Sequence, residues 1–240
     1  MIHMSLKVTT FSSKGRVTRV NSYKCKDRVV HLQSDNQLRL FLMLEWDEYV
    51  QEIKVNVALD DLEKNLFNID NLRLDRFKNK ESGELYTLHT NFLIILKTDR
   101  GIEEHVAISV KSTSELERKT VIEKLEIERR YWEVKGVRFA IITDEEIDRQ
   151  LADNIMWARE TVTDKSVRDK VELSEKLYYF LQEHQMEQAK EALLYFDDKE
   201  KLKSGTGLFL FRYLIADKQI EVNMKKSIDL GRKVGDLVKF

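Results

Sequence analysis

The sequence predicts an α/β domain, a mixed sheet flanked by helices, followed by a small and mainly helical domain. Three observations carry that reading. Residues 90–96 (TNFLIIL) and 105–111 (HVAISVK) are mostly apolar runs of strand length, joined across the turn Thr98-Asp99-Arg100-Gly101. Residues 114–135 repeat apolar side chains at helical spacing and stop at Gly136, and another apolar run follows at 137–143. From about residue 158 the spacing becomes helical over 170–184, 186–195 and about 206–216, ahead of a strand-like stretch at 219–224. Strand–strand–helix–strand order gives the mixed sheet, and three helices with a terminal hairpin suit a winged-helix-like unit. The expected domains are therefore 1–157 and 158–240.

The elements follow in order. Residues 1–33 are polar and basic, with Lys14, Arg16, Arg19, Lys24, Lys26 and Arg28 spread through short β-prone stretches. A solvated arm and a contact to a DNA backbone are both open readings. A helix begins next, capped by Ser34 or Asp35, with Leu38, Phe41, Leu42 and Glu45 or Trp46 at helical spacing. Gln37 stands one turn before Phe41 and shares part of the inward face, where a polar side chain needs a partner or a task. Val50, Ile53, Val55 and Val57 mark a strand, and the charged segment 59–79 reads as mostly helical. In the long helix, Ser114 is the expected cap, with Leu116, Val121, Leu125, Ile127 or Glu128, and Trp132 along its length. Asp144-Glu145-Glu146 is expected to open a further helix.

Composition excludes several classes. Hydrophobic residues make up 42% and charged residues 35%, the balance of an ordinary globular protein. A formal net charge of -1 gives no global basic signal, so nucleic-acid binding would need a local patch or a partner. One cysteine, Cys25, excludes an internal disulfide framework. No apolar run approaches a membrane span and the N-terminus lacks a signal-peptide core, so a cytoplasmic address without membrane contact is expected. The histidines show no metal-ligand spacing, and no phosphate-binding glycine loop or nucleophile elbow is present, which argues against nucleotide hydrolysis and acyl transfer. Proline is absent where average usage would supply about a dozen.

A metal-dependent phosphodiesterase needs carboxylates converging on a divalent cation and a lysine near the attacked phosphate. Adjacent strands can supply these, because residues two apart share a face. The matching positions here are Gln37 on the first helix, Asn91 at a strand start, and Ser109 with Lys111 on the neighbouring strand. The geometry is that of such a site, but the acids are missing. The run Glu128-Arg129-Arg130-Tyr131-Trp132 reads as a helix face packed through Trp132, with a phosphate or partner contact by the arginines as the alternative.

The stretches SDNQLRLFLMLEW (34–46), LHTNFLIIL (88–96), AISVKSTSEL (107–116), EKLEIERRYWEVKG (123–136) and FAIITDEEI (139–147) resemble the TnsA-type endonuclease subunits of heteromeric, Tn7-like DNA transposases. The resemblance implies a restriction-endonuclease-like N-terminal domain and a winged-helix-like C-terminal domain for partner and DNA contacts. It places the family's helix glutamate on Gln37, its strand aspartate on Asn91, its lysine-paired glutamine on Ser109 and its lysine on Lys111, with a further glutamate matching Glu128. In that family these residues hold Mg and nick one strand at each transposon end. The implied partners are transposon-end DNA, a DDE-type transposase subunit and an AAA-type ATPase regulator, in a bacterial cytoplasm and on the nucleoid when bound to DNA. Metal ligands by this resemblance would be Gln37, Asn91 and Glu128, two of them amides. A Gln and an Asn keep the shape but remove two negative charges from a magnesium site, so weakened Mg binding and little or no cleavage are expected. A non-catalytic assembly module bridging transposase, regulator and DNA ends is the alternative function, and an unrelated nuclease-fold defence component is a third.

Overall fold

The computed structural model describes residues 17–66, 71–97 and 100–240, so Lys14 and Arg16 of the basic arm lie outside the described residues. The chain divides into two compact units, the first ending at Ile147 and the second spanning Asp148–Phe240. The sequence-based boundary at 157/158 falls inside a helix of the second unit.

In the first unit a two-stranded ribbon, β1 (Thr18–Asn21) and β2 (Val29–Leu32), precedes α1 (Asp35–Trp46). Ser34 caps α1 as expected, its hydroxyl accepting from the Gln37 N–H at 3.2 Å. The main sheet has the order β3-β4-β5-β6, built from β3 (Val50–Ala58), β4 (His89–Lys97), β5 (Glu103–Val110) and β6 (Arg138–Ile142). The β3/β4 and β4/β5 pairs are antiparallel and β5/β6 is parallel, so the sheet is mixed. The parallel pair requires a crossover, which α3 (Lys119–Val134) supplies. Gly136 ends it with φ +66°, the left-handed conformation expected just past a helix.

Each face of the sheet has its own core. Leu40 and Phe41 of α1 pack with Ile53, Phe92, Ile94, Val106, Ile108 and Val110. Ile127, Tyr131 and Trp132 of α3 pack with Leu59, Leu88, Leu93 and Ala107. Helices thus cover both sides, which is why β4 and β5 read as continuous apolar runs.

Three expectations are corrected. Segment 59–79 is not a long helix: among its described residues the helical pieces are α2 (Leu62–Asn65), a 3-10 turn at Leu74–Phe77 and 3-10 backbone at Asn71. Its apolar side chains, Leu62, Leu66, Leu72, Leu74 and Phe77, pack singly onto the α3-side core, and that packing overrides helix propensity. Before α3, the cap is Ser112, which exchanges hydrogen bonds with Glu115 around a 3-10 turn at Thr113–Glu115. The helix expected at 144–146 starts later, as α4 (Arg149–Thr163), with Asp148 as cap.

The second unit holds α4, α5 (Lys170–Glu183), α6 (Ala189–Lys199), α7 (Thr206–Ala216) and the short α8 (Val234–Leu237). The sequence of α7, TGLFLFRYLIA, is apolar nearly all round, and it packs against α4, α5 and α6 at the centre of the unit. Two glycines let its start come close: a Cβ on Gly207 would stand 2.7 Å from the Leu193 carbonyl oxygen, and Gly205 has φ +90°. The strand expected at 219–224 is reduced to one antiparallel bridge, Glu221 with Lys239, so the terminal hairpin of a wing is not formed among the described residues. Backbone N–H groups of Gln219 and Ile220 instead close onto Leu214 at the end of α7. No helix among the described residues is long and apolar enough to cross a membrane.

Candidate nuclease site

The site is created by a break in the sheet. Val55 and Phe92 face the α1-side core, yet Val57 and Thr90, two residues away on the same strands, lie on the α3 side. A regular strand keeps such residues on one face, so both strands reverse between them. The reversal on β3 falls at Asn56, whose φ of +52° is left-handed; asparagine adopts that conformation more readily than other side chains. Its side-chain amide donates to the His31 carbonyl at 3.3 Å. On β4 the reversal falls at Asn91.

Asn91 takes up the slack. The β4–β5 ladder ends at the pair Phe92↔Ile108, and beyond it the Asn91 Oδ1 accepts from the Val110 N–H at 2.7 Å. A side-chain oxygen there replaces the main-chain carbonyl of a continuing ladder. Ser109 and Lys111 follow on β5 and just past it; Ser109 is 1% exposed and on the face of Ala107.

Above that face, α3 delivers Glu128, which is fully buried. Its Oε2 accepts from the Thr90 hydroxyl at 2.8 Å and from the Ser109 hydroxyl. Thr90 also accepts from the Trp132 indole N–H at 2.9 Å. Glu128 Oε1 has no hydrogen bond; the Lys124 ammonium, one turn earlier on α3, stands 3.5 Å away, close enough for attraction between charges but too far for a good hydrogen bond. That ammonium donates to the His89 carbonyl at 3.1 Å. Burial, and then the neighbouring Lys124, hold Lys111 below the usual lysine range, while Glu128 and Glu115 oppose the shift. Burial likewise lowers His89 below the ordinary histidine value.

Four of the five sequence-predicted residues therefore come together: Asn91, Ser109, Lys111 and Glu128 share the divergent end of β4 and β5 under α3. Gln37 comes from α1. It is buried on α1, the helix on the other face, and its Oε1 accepts from the Gln33 N–H at 3.0 Å. Sequence reading missed Thr90, Lys124 and Asn56. Thr90 has its partners tens of residues away, and Lys124 shows only the common i,i+4 spacing to Glu128, with His89 far off in sequence; an asparagine inside the β-prone run of β3 was the available signal for Asn56.

Arg129 is engaged on its own helix, and Arg130 both there and with Asn71. Arg129 bonds Glu126 at 2.8 Å and Glu133 at 2.9 Å, and Arg130 bonds Glu126 at 2.7 Å and Asn71 at 2.9 Å. Together, with Arg129 contributing most, they pull the Glu126 carboxyl down to about 2.

A mixed four-stranded sheet with helices on both faces, and polar groups gathered where an antiparallel pair diverges, defines a restriction-endonuclease-like nuclease domain. Comparison with known proteins makes the assignment specific. Residues 47–144 match the family described as TnsA-like endonuclease N terminal, and residues 146–224 match TnsA endonuclease C terminal. The chain is 32% identical over 233 residues to the Transposon Tn7 transposition protein TnsA of Escherichia coli, covering 97% of this chain and 82% of that protein. It belongs to the TnsA family of endonucleases.

Nucleases of this family are metal-dependent, and the donor set here does not fit a divalent cation. Among the described residues no three His, Cys, Asp or Glu side chains gather. The Asn91 and Gln37 oxygens each accept a main-chain N–H. Glu128 is the buried carboxylate of the node, two hydroxyls occupy one of its oxygens, and an ammonium lies beside the other. A hard cation draws most of its binding energy from several carboxylates.

Proposed function

We propose that this chain fills the endonuclease-subunit place in a multi-protein DNA transposase, acting at transposon ends, without cutting DNA itself. In the family resemblance, Gln37, Asn91, Ser109, Lys111 and Glu128 would hold Mg and nick one strand at each end. Here the side chains of Gln37, Asn91, Ser109 and Glu128 are engaged in hydrogen bonds within the fold instead. The carrying observation is that the single carboxylate of the site, Glu128, is sealed by Thr90, Ser109 and Lys124, while both amide oxygens are committed to backbone N–H groups. Family membership supports the place in the transposase; the amides and the sealed carboxylate support the loss of cleavage.

The work left to such a subunit is assembly. It would contact transposon-end DNA, a DDE-type transposase subunit and an AAA-type ATPase regulator, as the non-catalytic reading expects. The test is a mobility-shift assay of transposon-end DNA with the transposase subunit, with and without this chain. A slower complex that forms only with this chain present is the expected result. An unchanged shift would remove the assembly role.

A further inference from the structure

A carboxylate wholly withdrawn from water must be matched by positive charge or strong donors, or it destabilises the fold. Glu128 is 0% exposed, and hydroxyl donors serve only its Oε2. The other oxygen faces the Lys124 ammonium at 3.5 Å, and that ammonium also holds the His89 carbonyl oxygen at 3.1 Å. A carboxylate oxygen and a carbonyl oxygen converging at the start of β4, beside Asn91, make an oxygen-lined position for a cation. A lysine stands in it.

We propose that Lys124 is the resident cation of this node: its ammonium supplies the charge that a metal ion supplies beside the equivalent carboxylate of a cutting nuclease, so the site assembles with no divalent ion. The position follows from the chain itself. Lys124 and Glu128 are four residues apart on α3, on one face of the helix, and the lysine stem is long enough to reach the first residue of β4. The ammonium therefore has two tasks, offsetting the charge of Glu128 and stapling α3 to the sheet at the point where the strand reverses. Lys124 is partly exposed, with 28% of its side-chain surface accessible, so its removal would open a path from solvent to Glu128 Oε1.

The inference rests on the non-cutting reading only in placing the node in a nuclease site; its test reads ion uptake and stability, whereas cleavage and assembly are read separately. The experiment is thermal unfolding of the full chain with and without millimolar Mn2+, together with the paramagnetic resonance signal of free Mn2+. The native protein is expected to show no change in midpoint and no uptake. Lys124→Ala should lower the midpoint by about 5–10 °C without metal, by exposing an unmatched buried charge. Mn2+ should then recover a large part of that loss, with a matching fall in the free-ion signal. In the Lys124→Ala/Glu128→Gln double variant most of the loss should vanish, and so should the response to Mn2+. Should Lys124→Ala fail to fold, a folded double variant still supports the proposal, because it assigns the failure to the unmatched charge. The proposal is overturned if the native protein takes up Mn2+, if Lys124→Ala folds without responding to Mn2+, or if the double variant loses as much stability as the single one.

Discussion

Two of the carboxylates buried among the described residues, Asp197 and Glu128, are held by different means. Asp197, 3% exposed near the end of α6, reaches the start of α7, where it accepts from the Gly205 N–H at 2.7 Å and the Gly207 N–H at 2.6 Å. Its partners are main-chain groups at a helix N-terminus, where unpaired N–H donors and the helix dipole favour an anion. Glu128 is held by two hydroxyls and an ammonium, all of them side chains. The first arrangement persists wherever the backbone takes that path. The second can be rewritten one residue at a time, and it lies where the family resemblance puts its chemistry. The Glu128 node is thus built from side chains, whereas Asp197 is tied to the main chain of α7.

Breaking the main-chain arrangement should have the largest effect. Asp197→Ala strands two N–H groups beneath the α6–α7 contact and is expected to cost about 3 kcal/mol in denaturant unfolding. A loss of only a few tenths would mean that the capping is dispensable. Next comes the reversal that shapes the site. Asn56→Val forces a β-branched residue into a left-handed conformation and should cost about 1–2 kcal/mol, with Asn56→Gly far milder. Equal losses for the two would show that the side-chain bond to His31 matters more than the backbone conformation. Glu128→Gln should cost about 1 kcal/mol or less, because the amide oxygen still accepts from Thr90 and Ser109 and no buried charge remains to be matched. A loss as large as that of Asp197→Ala would make the two carboxylates equivalent and dissolve the contrast.

The smallest effect is on the surface of the same helix. The Glu126 carboxyl is pulled from its ordinary 4.5 down to about 2, first by Arg129. A lowered carboxyl contributes stability above its unfolded value and loses it as pH falls through its folded value, here between 4.5 and about 2. Because this pair is solvent-screened, Glu126→Gln should remove well under about 1 kcal/mol at neutral pH, and the difference from native should shrink across that acid window in urea titrations.

The readable parts of the sequence were those where one local pattern agreed with the tertiary fold. Apolar runs gave β4 and β5, Ser34 gave the start of α1, Gly136 the end of α3, and helical spacing gave α5 and α7 nearly to the residue and α6 with both ends too early. Segment 59–79 misled because its leucines pack singly on a core that they reach as loop residues. The stretch 219–224 misled because alternation survives in a turn that closes onto α7. Of the candidate site, Asn91, Ser109 and Lys111 were singled out by the strand pattern as well as by the family resemblance, and Glu128 by the resemblance. The groups that seal it were not, since Thr90 and Lys124 acquire meaning only when β4 and α3 meet.

The most direct test is strand cleavage itself: a denaturing gel of transposon-end DNA incubated with Mg2+, the transposase subunit, and either the native chain or its Gln37→Glu/Asn91→Asp variant. Intact ends are expected with the native chain and nicked ends with the variant, which gives α1 and the start of β4 a carboxylate each. Nicking by the native chain would contradict it and would place the cutting residues elsewhere.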